Sequence, residues 1–248
     1  MRLPTFSYND GTFDLGRFDR APVTLHFSFF LTAAVLTLPF WWRGHGHGPL
    51  LVLGGTVIIF GSILLHELAH AAVARHYRVP IQHIEINWYG GMVHFARRPN
   101  RMAQDVAITV AGPLSNMLLA GGALILLWLL PQPEAIEFAG RLAPIHVIGG
   151  PERLLRFAIY LNTGLCLVNL LPAFPLDGGR LTYLVVARRW DNRTATLVVG
   201  MLGLVFAVIS MIVTLVMLLA GFPIIAPPSF QTNWAALQAA RRGQSIPV

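Results

Sequence analysis

Long apolar stretches alternate along the chain with short polar ones that carry arginine. Five apolar segments stand out: about Val23 to Trp42, Leu50 to Arg75, Val106 to Leu130, Leu154 to Leu171 and Ala195 to Gly221. A hydrocarbon layer ~30 Å thick needs about 20 apolar residues per helical crossing, so each segment reads as a transmembrane helix. A shorter stretch, Leu181 to Ala187, is either a sixth, partial crossing or a helix lying at the interface. From Ile81 to Ala96 the period changes. Ile84, Ile86 and Trp88 alternate with Glu85 and Asn87, and Gly90-Gly91 supplies a turn before Met92-Val93-His94-Phe95, which predicts a β-hairpin.

The expected fold is thus an all-α polytopic membrane protein, a bundle of five to six transmembrane helices with one small hairpin. Residues 1–22 form a cytoplasmic lead, 23–221 the membrane domain and 222–248 a tail with at most a short interfacial helix around Trp234-Ala235-Ala236-Leu237. The first apolar segment is read as a retained helix, because it is long and ends in bulky Pro39-Phe40-Trp41-Trp42 without a small-residue cleavage site.

Composition supports the membrane reading: 55% of the 248 residues are hydrophobic and 12% charged, against roughly a quarter charged in an ordinary soluble domain. The net charge of +7 rests on arginine alone, since there is no lysine. Those arginines flank apolar segments and do not form a solvent-facing stripe with interleaved aromatics, which argues against a nucleic-acid partner. Arg2, Arg17 and Arg20 precede the first segment, Arg75 to Arg101 follow the second, and Arg180 to Arg193 follow the fourth. The positive-inside rule puts these on the cytoplasmic side. Five crossings leave the C-terminus outside; a sixth returns it. Trp41, Trp42 and Trp128 sit near segment ends, as interfacial anchors do. Cys166, the single cysteine, lies in an apolar run and makes no intrachain disulfide.

The chemistry begins in the second segment with His66-Glu67-Leu68-Ala69-His70. Helical residues four apart share a face, so both imidazoles can grip one ion, with Glu67 close enough to polarise water on it. Two histidines and a carboxylate with an open position suit zinc, which lowers the pKa of water toward ~7. Ionisable groups within a membrane span are costly and mark function, which weighs against a pair of merely structural histidines. Asp177 is the best candidate for the third ligand. It follows Asn169-Leu170-Leu171-Pro172-Ala173-Phe174-Pro175-Leu176, where two prolines interrupt helical hydrogen bonding; its alternative role is to cap a helix from Gly178 onward. Asp105, Asp191, Glu134, Glu137 and Glu152 read as solvated surface.

Together these motifs resemble the site-2 protease family of intramembrane metalloproteases. The likeness extends to Gly90-Gly91, to Ala111-Gly112-Pro113 with Asn116, and more weakly to Leu25-His26-Phe27-Ser28. It implies one zinc ion per chain on His66, His70 and Asp177, with Glu67 as general base and Asn169 holding the substrate backbone or the oxyanion. It also implies that the hairpin is a small membrane-inserted sheet beside the active site. Its exposed edge, with Gly90 and Gly91, can accept an unwound substrate as an added strand. His83 and His94 lie on the hairpin without the i, i+4 spacing and are not assigned as ligands. Asn116 is expected to support the histidine-bearing helix, and Gly112-Pro113 to permit a kink and close helix approach. His45 and His47 read as a solvated turn.

No stretch between Gly91 and Asn169 accommodates an inserted PDZ domain, and no CBS pair follows the last apolar segment, so the likeness is to compact prokaryotic members. The expected protein is a multi-pass zinc endopeptidase of a prokaryotic inner or plasma membrane, with its site toward the cytoplasm. Its expected partners are the lipid bilayer, a transmembrane protein substrate and an unidentified regulatory protein. Two other classes remain open: a non-catalytic, chaperone-like membrane-binding relative, and a metal transporter. Retention of Glu67 beside three ligands disfavours the first, and the absence of several polar ligands across the spans disfavours the second.

Overall fold

The structure, a computed structural model, describes residues 5–7, 11–43, 48–130, 136–138, 141–143, 150–219 and 229–243. Most are helical. The elements run β1 (Thr5–Ser7), β2 (Thr12–Phe18), β3 (Ala21–His26), α1 (Phe29–Arg43), α2 (Gly48–His76), β4 (Ile81–Asn87), β5 (Gly90–Phe95), α3 (Met102–Leu129), β6 (Ile136–Phe138), β7 (Arg141–Ala143), α4 (Gly150–Asn169), α5 (Asp177–Arg189), α6 (Asn192–Leu219) and α7 (Phe230–Arg241).

Three of these helices, α2, α3 and α6, are long and apolar enough to cross a membrane. In each, only about a third of the apolar window or less is covered by the rest of the protein (33%, 28% and 28%). Leu53, Val57, Leu118, Leu124, Val205 and Met211 are among the large side chains left exposed. An apolar surface this extensive is suited to lipid, not water. The two other apolar segments are less simple. The first opens as strand β3, with Ala21, Val23 and Leu25 turned into the core and Pro22, Thr24 and His26 less buried, so only 15 residues remain for α1. The boundary expected at residue 22 therefore falls inside a strand. The fourth is the 20-residue α4, whose first turns carry Glu152, Arg153 and Arg156. The 13 residues of α5 rise about 20 Å, short of a full crossing.

Helix α2 packs against α1, α3, α4 and the sheet. The sheet is larger than the expected hairpin: five strands in the order β1-β2-β3-β4-β5, with β3 and β4 parallel and the other pairs antiparallel. Leu25, Ile86, Phe29, Ala33, Ile59 and Ile63 form one cluster binding β3, β4, α1 and α2 together. The hairpin turn falls on Trp88-Tyr89, not on Gly90-Gly91. Asn87 Oδ1 accepts the Tyr89 backbone N–H at 2.9 Å, and Gly90, at φ 125°, already pairs with Asn87 as the first residue of β5.

Asp105, expected on the solvated surface, is not there. It is buried near the start of α3 and paired with Arg180 of α5 at 2.7 Å, because the start of α3 packs against α5 and desolvates both groups together. Asp191 is exposed and caps α6 through the Thr194 backbone N–H at 2.6 Å; Glu152 pairs with Arg156 at 2.7 Å. The side chains of Glu134, Glu137 and Trp42, and the loop with His45 and His47, lie outside the described residues. Trp41 and Trp128 are exposed near helix ends.

The tail contains the 12-residue helix α7, packed on α6 through Ala195, Val199 and Ala236. Its Asn233 is buried and brackets Phe174 in the loop between α4 and α5. Asn233 Nδ2 donates to the Phe174 carbonyl at 2.7 Å, and Asn233 Oδ1 accepts the Phe174 N–H at 3.0 Å. Gly203 of α6 makes room, since a Cβ there would strike the Asn233 carboxamide.

Candidate metal centre

One helical turn separates His66 from His70 on α2, and both rings turn toward α3 and the start of α5. Their Nε2 atoms stand 3.1 Å apart. Asp177, the first residue of α5, brings Oδ2 to 3.2 Å from the first and 3.4 Å from the second. Leu176 occupies the cap position of α5, without a side-chain cap bond, and the Asp177 carboxylate is directed to the histidines instead. The loop before it is drawn tight against the helix: Gly178 and Gly179 lie so close to the backbone of Leu170, Leu171 and Ala173 that no Cβ fits at either.

Hydrogen bonds on the far side of each ring decide which nitrogen faces the site. His70 Nδ1 lies 2.7 Å from the Ile108 carbonyl, which can only accept, so Nδ1 carries the proton. For His66 the same conclusion comes through a chain of amides. Asn162 Nδ2 donates to the Ala158 carbonyl and to Ser62 Oγ, each at 2.9 Å. That orientation leaves Asn162 Oδ1 to accept from Asn116 Nδ2 at 2.8 Å and turns Asn116 Oδ1 toward His66 Nδ1. The proton on His66 is therefore also at Nδ1.

Both Nε2 atoms then present lone pairs to each other and to a carboxylate oxygen that is buried without a hydrogen-bond partner. Three convergent lone pairs in a largely buried site repel one another unless a cation sits among them. Zinc holds nitrogen ligands at ~2.0–2.1 Å in a tetrahedron, which sets neighbouring ligands about 3.3 Å apart; the observed spacings match. His66, His70 and Asp177 form a group able to hold a metal ion. Space is kept for it by Gly112 of α3, where a Cβ would run into the Nε2 atoms of both histidines.

Glu67 is buried beside this group. Its carboxylate faces the Val93 backbone of β5 and lies over Gly91, where a Cβ would collide with it. Of the other residues picked out from the sequence, Asn116 reaches the site through His66. Gly90 starts β5 and shapes the turn. Asn169 is the last residue of α4, partly buried, before the proline-containing loop. Sequence reasoning does not find Asn162 or Asn233. A polar residue in the apolar run Tyr160-Leu161-Asn162-Thr163-Gly164 is the available signal for the first; nothing in the tail marks the second.

Similarity to known proteins runs through the same residues. The family model for peptidase family M50 matches residues 54–210, more than half of the chain. Rip3 of Mycobacterium tuberculosis is 33% identical over 175 residues, covering 69% of this chain and 41% of that protein. Zinc metalloprotease MJ0392 of Methanocaldococcus jannaschii is 29% identical over 168 residues, covering 65% of this chain and 44% of the relative. The matches thus span less than half the length of these relatives. Among solved structures, the site-2 protease from Methanocaldococcus jannaschii superposes with a TM-score of 0.59 at 22% identity, covering 95% of this chain and 96% of that one; at that identity the likeness concerns the fold. The fold, the donor set suited to zinc and the matched region lead to one conclusion: the chain belongs to peptidase family M50, the site-2 protease family of zinc metalloproteases.

Proposed function

We propose that this protein is a zinc-dependent intramembrane endopeptidase that hydrolyses peptide bonds in or near transmembrane segments of other membrane proteins. The observation that carries the reading is the position of Glu67: a buried carboxylate adjoining a three-ligand metal group on one side and the last strand of the sheet on the other. His66, His70 and Asp177 hold the ion. When bound, zinc supplies Lewis acidity that makes water a nucleophile near neutral pH. Glu67 takes the proton from that water and passes it to the leaving amine nitrogen. The tautomers fixed by Asn116 and the Ile108 carbonyl keep both Nε2 atoms available as ligands.

A helical substrate hides its backbone, so it must unwind before attack. Strand β5 offers an edge to pair with an extended segment, with Gly91 letting that segment approach Glu67. Asn169, at the corner before the proline-containing loop, holds the substrate backbone or the oxyanion. A positioned donor of this kind contributes ~10²–10³ in rate. The protein spans its membrane five or six times, with α1 and α4 adding to α2, α3 and α6 and the site toward the cytoplasm, in a prokaryotic inner or plasma membrane. The bilayer is its solvent and a transmembrane protein its substrate, with a separate partner protein as regulator. The deciding experiment is cleavage of a model transmembrane substrate by the purified protein. Cleavage lost in Glu67→Gln and on chelation supports the mechanism; activity persisting in both sinks it.

A further inference from the structure

The two faces of the β4–β5 hairpin are unequal. Ile84 and Ile86 are fully buried in the core. The intervening positions, His83, Glu85 and Asn87, point to the opposite face. His83 lies directly across from His94 on β5, and their rings stack 3.9 Å apart at 13°. Glu85 is the next residue on that face, and ligand atoms from all three side chains lie within 4.8 Å of one another. Asn87 Nδ2 donates to Glu85 Oε1 at 3.0 Å, which holds the carboxylate beside the ring pair. All three are partly exposed, which leaves room for the rings to turn out of their stack and aim a nitrogen each at one ion, as in-plane ligation by imidazole requires. The cross-strand register does here what i, i+4 spacing does on a helix.

We propose that His83, Glu85 and His94 form a second metal site, for a divalent transition ion such as Zn²⁺, on the outer face of the hairpin. Two imidazoles and one carboxylate favour such an ion over Mg²⁺ or Ca²⁺, which take oxygen ligands. Because the ligands come from both strands, the ion staples β4 to β5. Strand β5 is also the one that sets Gly91 and the Val93 backbone against Glu67, so the second site stiffens the wall of the first without belonging to it.

The test counts metal. Full-length protein in detergent is stripped with a chelator, dialysed against a slight excess of Zn²⁺, and its zinc per chain measured by mass spectrometry. The wild type takes up two ions and His83→Ala/His94→Ala one. His66→Ala/His70→Ala also takes up one, held by the hairpin, so each site is counted independently. Glu85→Gln keeps both rings and the hairpin shape, and weakens only the second ion. Its count, with circular dichroism as a check on folding, separates lost ligation from lost structure. One ion in the wild type, two in the His83/His94 variant, or a second ion only in large excess of zinc (adventitious binding) overturns the proposal.

Discussion

Asn116 of α3 stands between His66 and Asn162, accepting from the first and donating to the second. The direction of that relay is imposed by the Ala158 carbonyl at its end and terminates in an unprotonated Nε2 at the metal group.

Breaking the relay should therefore weaken zinc binding without unfolding the protein. Outer-shell partners of metal-binding histidines are worth about 10–100-fold in metal affinity or activity. Asn116→Ala and Asn162→Ala are expected to lose zinc affinity in that range, measured by competition with a chromogenic chelator. Asn116→Asp, which still accepts from Nδ1, should lose less than Asn116→Ala. Equal losses in these two Asn116 variants would argue against the tautomer assignment.

Gly112 acts through the side chain it lacks. A methyl group there overlaps the Nε2 atoms of His66 and His70, so Gly112→Ala should abolish zinc uptake at this group while the helices remain folded. Gly121, on the same helix with open space where a Cβ would stand, is the control. Gly121→Ala should bind zinc as the wild type does. Zinc content and helical circular dichroism of the two variants check both halves of the prediction.

Asn233 anchors the loop that delivers Asp177. Its removal leaves the buried N–H and carbonyl of Phe174 unpaired, each at a cost of about 1–3 kcal/mol. Asn233→Ala should lower the thermal unfolding midpoint and speed loss of zinc to a chelator. Gly203→Ala, which crowds the same carboxamide, should reproduce both effects from a different helix. Normal zinc retention in both variants would restrict α7 to a purely peripheral role.

How far the sequence reaches can be followed residue by residue. The pairing of His66 with His70 is local, set by the turn of one helix, and is legible at once. So is the alternation of Ile84 and Ile86 with Glu85 and Asn87, although the turn lies at Trp88-Tyr89 and the sheet has more strands than a hairpin. Strand β3 reads as part of a helix in the sequence because its apolar residues merge with those of α1, and hydropathy averages over both. Asp105 reads as solvated surface, since only the approach of Arg180 reveals that its charge is buried and balanced.

The order of residues along the chain determined its apolar character, its helical repeat and the types of ligand available, because these follow from side-chain chemistry and from the few ångströms between near neighbours. Tertiary structure decided what those ligands face. Asp177 meets the imidazoles, Asn162 governs a proton on His66, and His83 stacks on His94 because packing brings separate elements to hydrogen-bond or contact distance. At that range a missing Cβ, a carbonyl or a strand register outweighs any local preference.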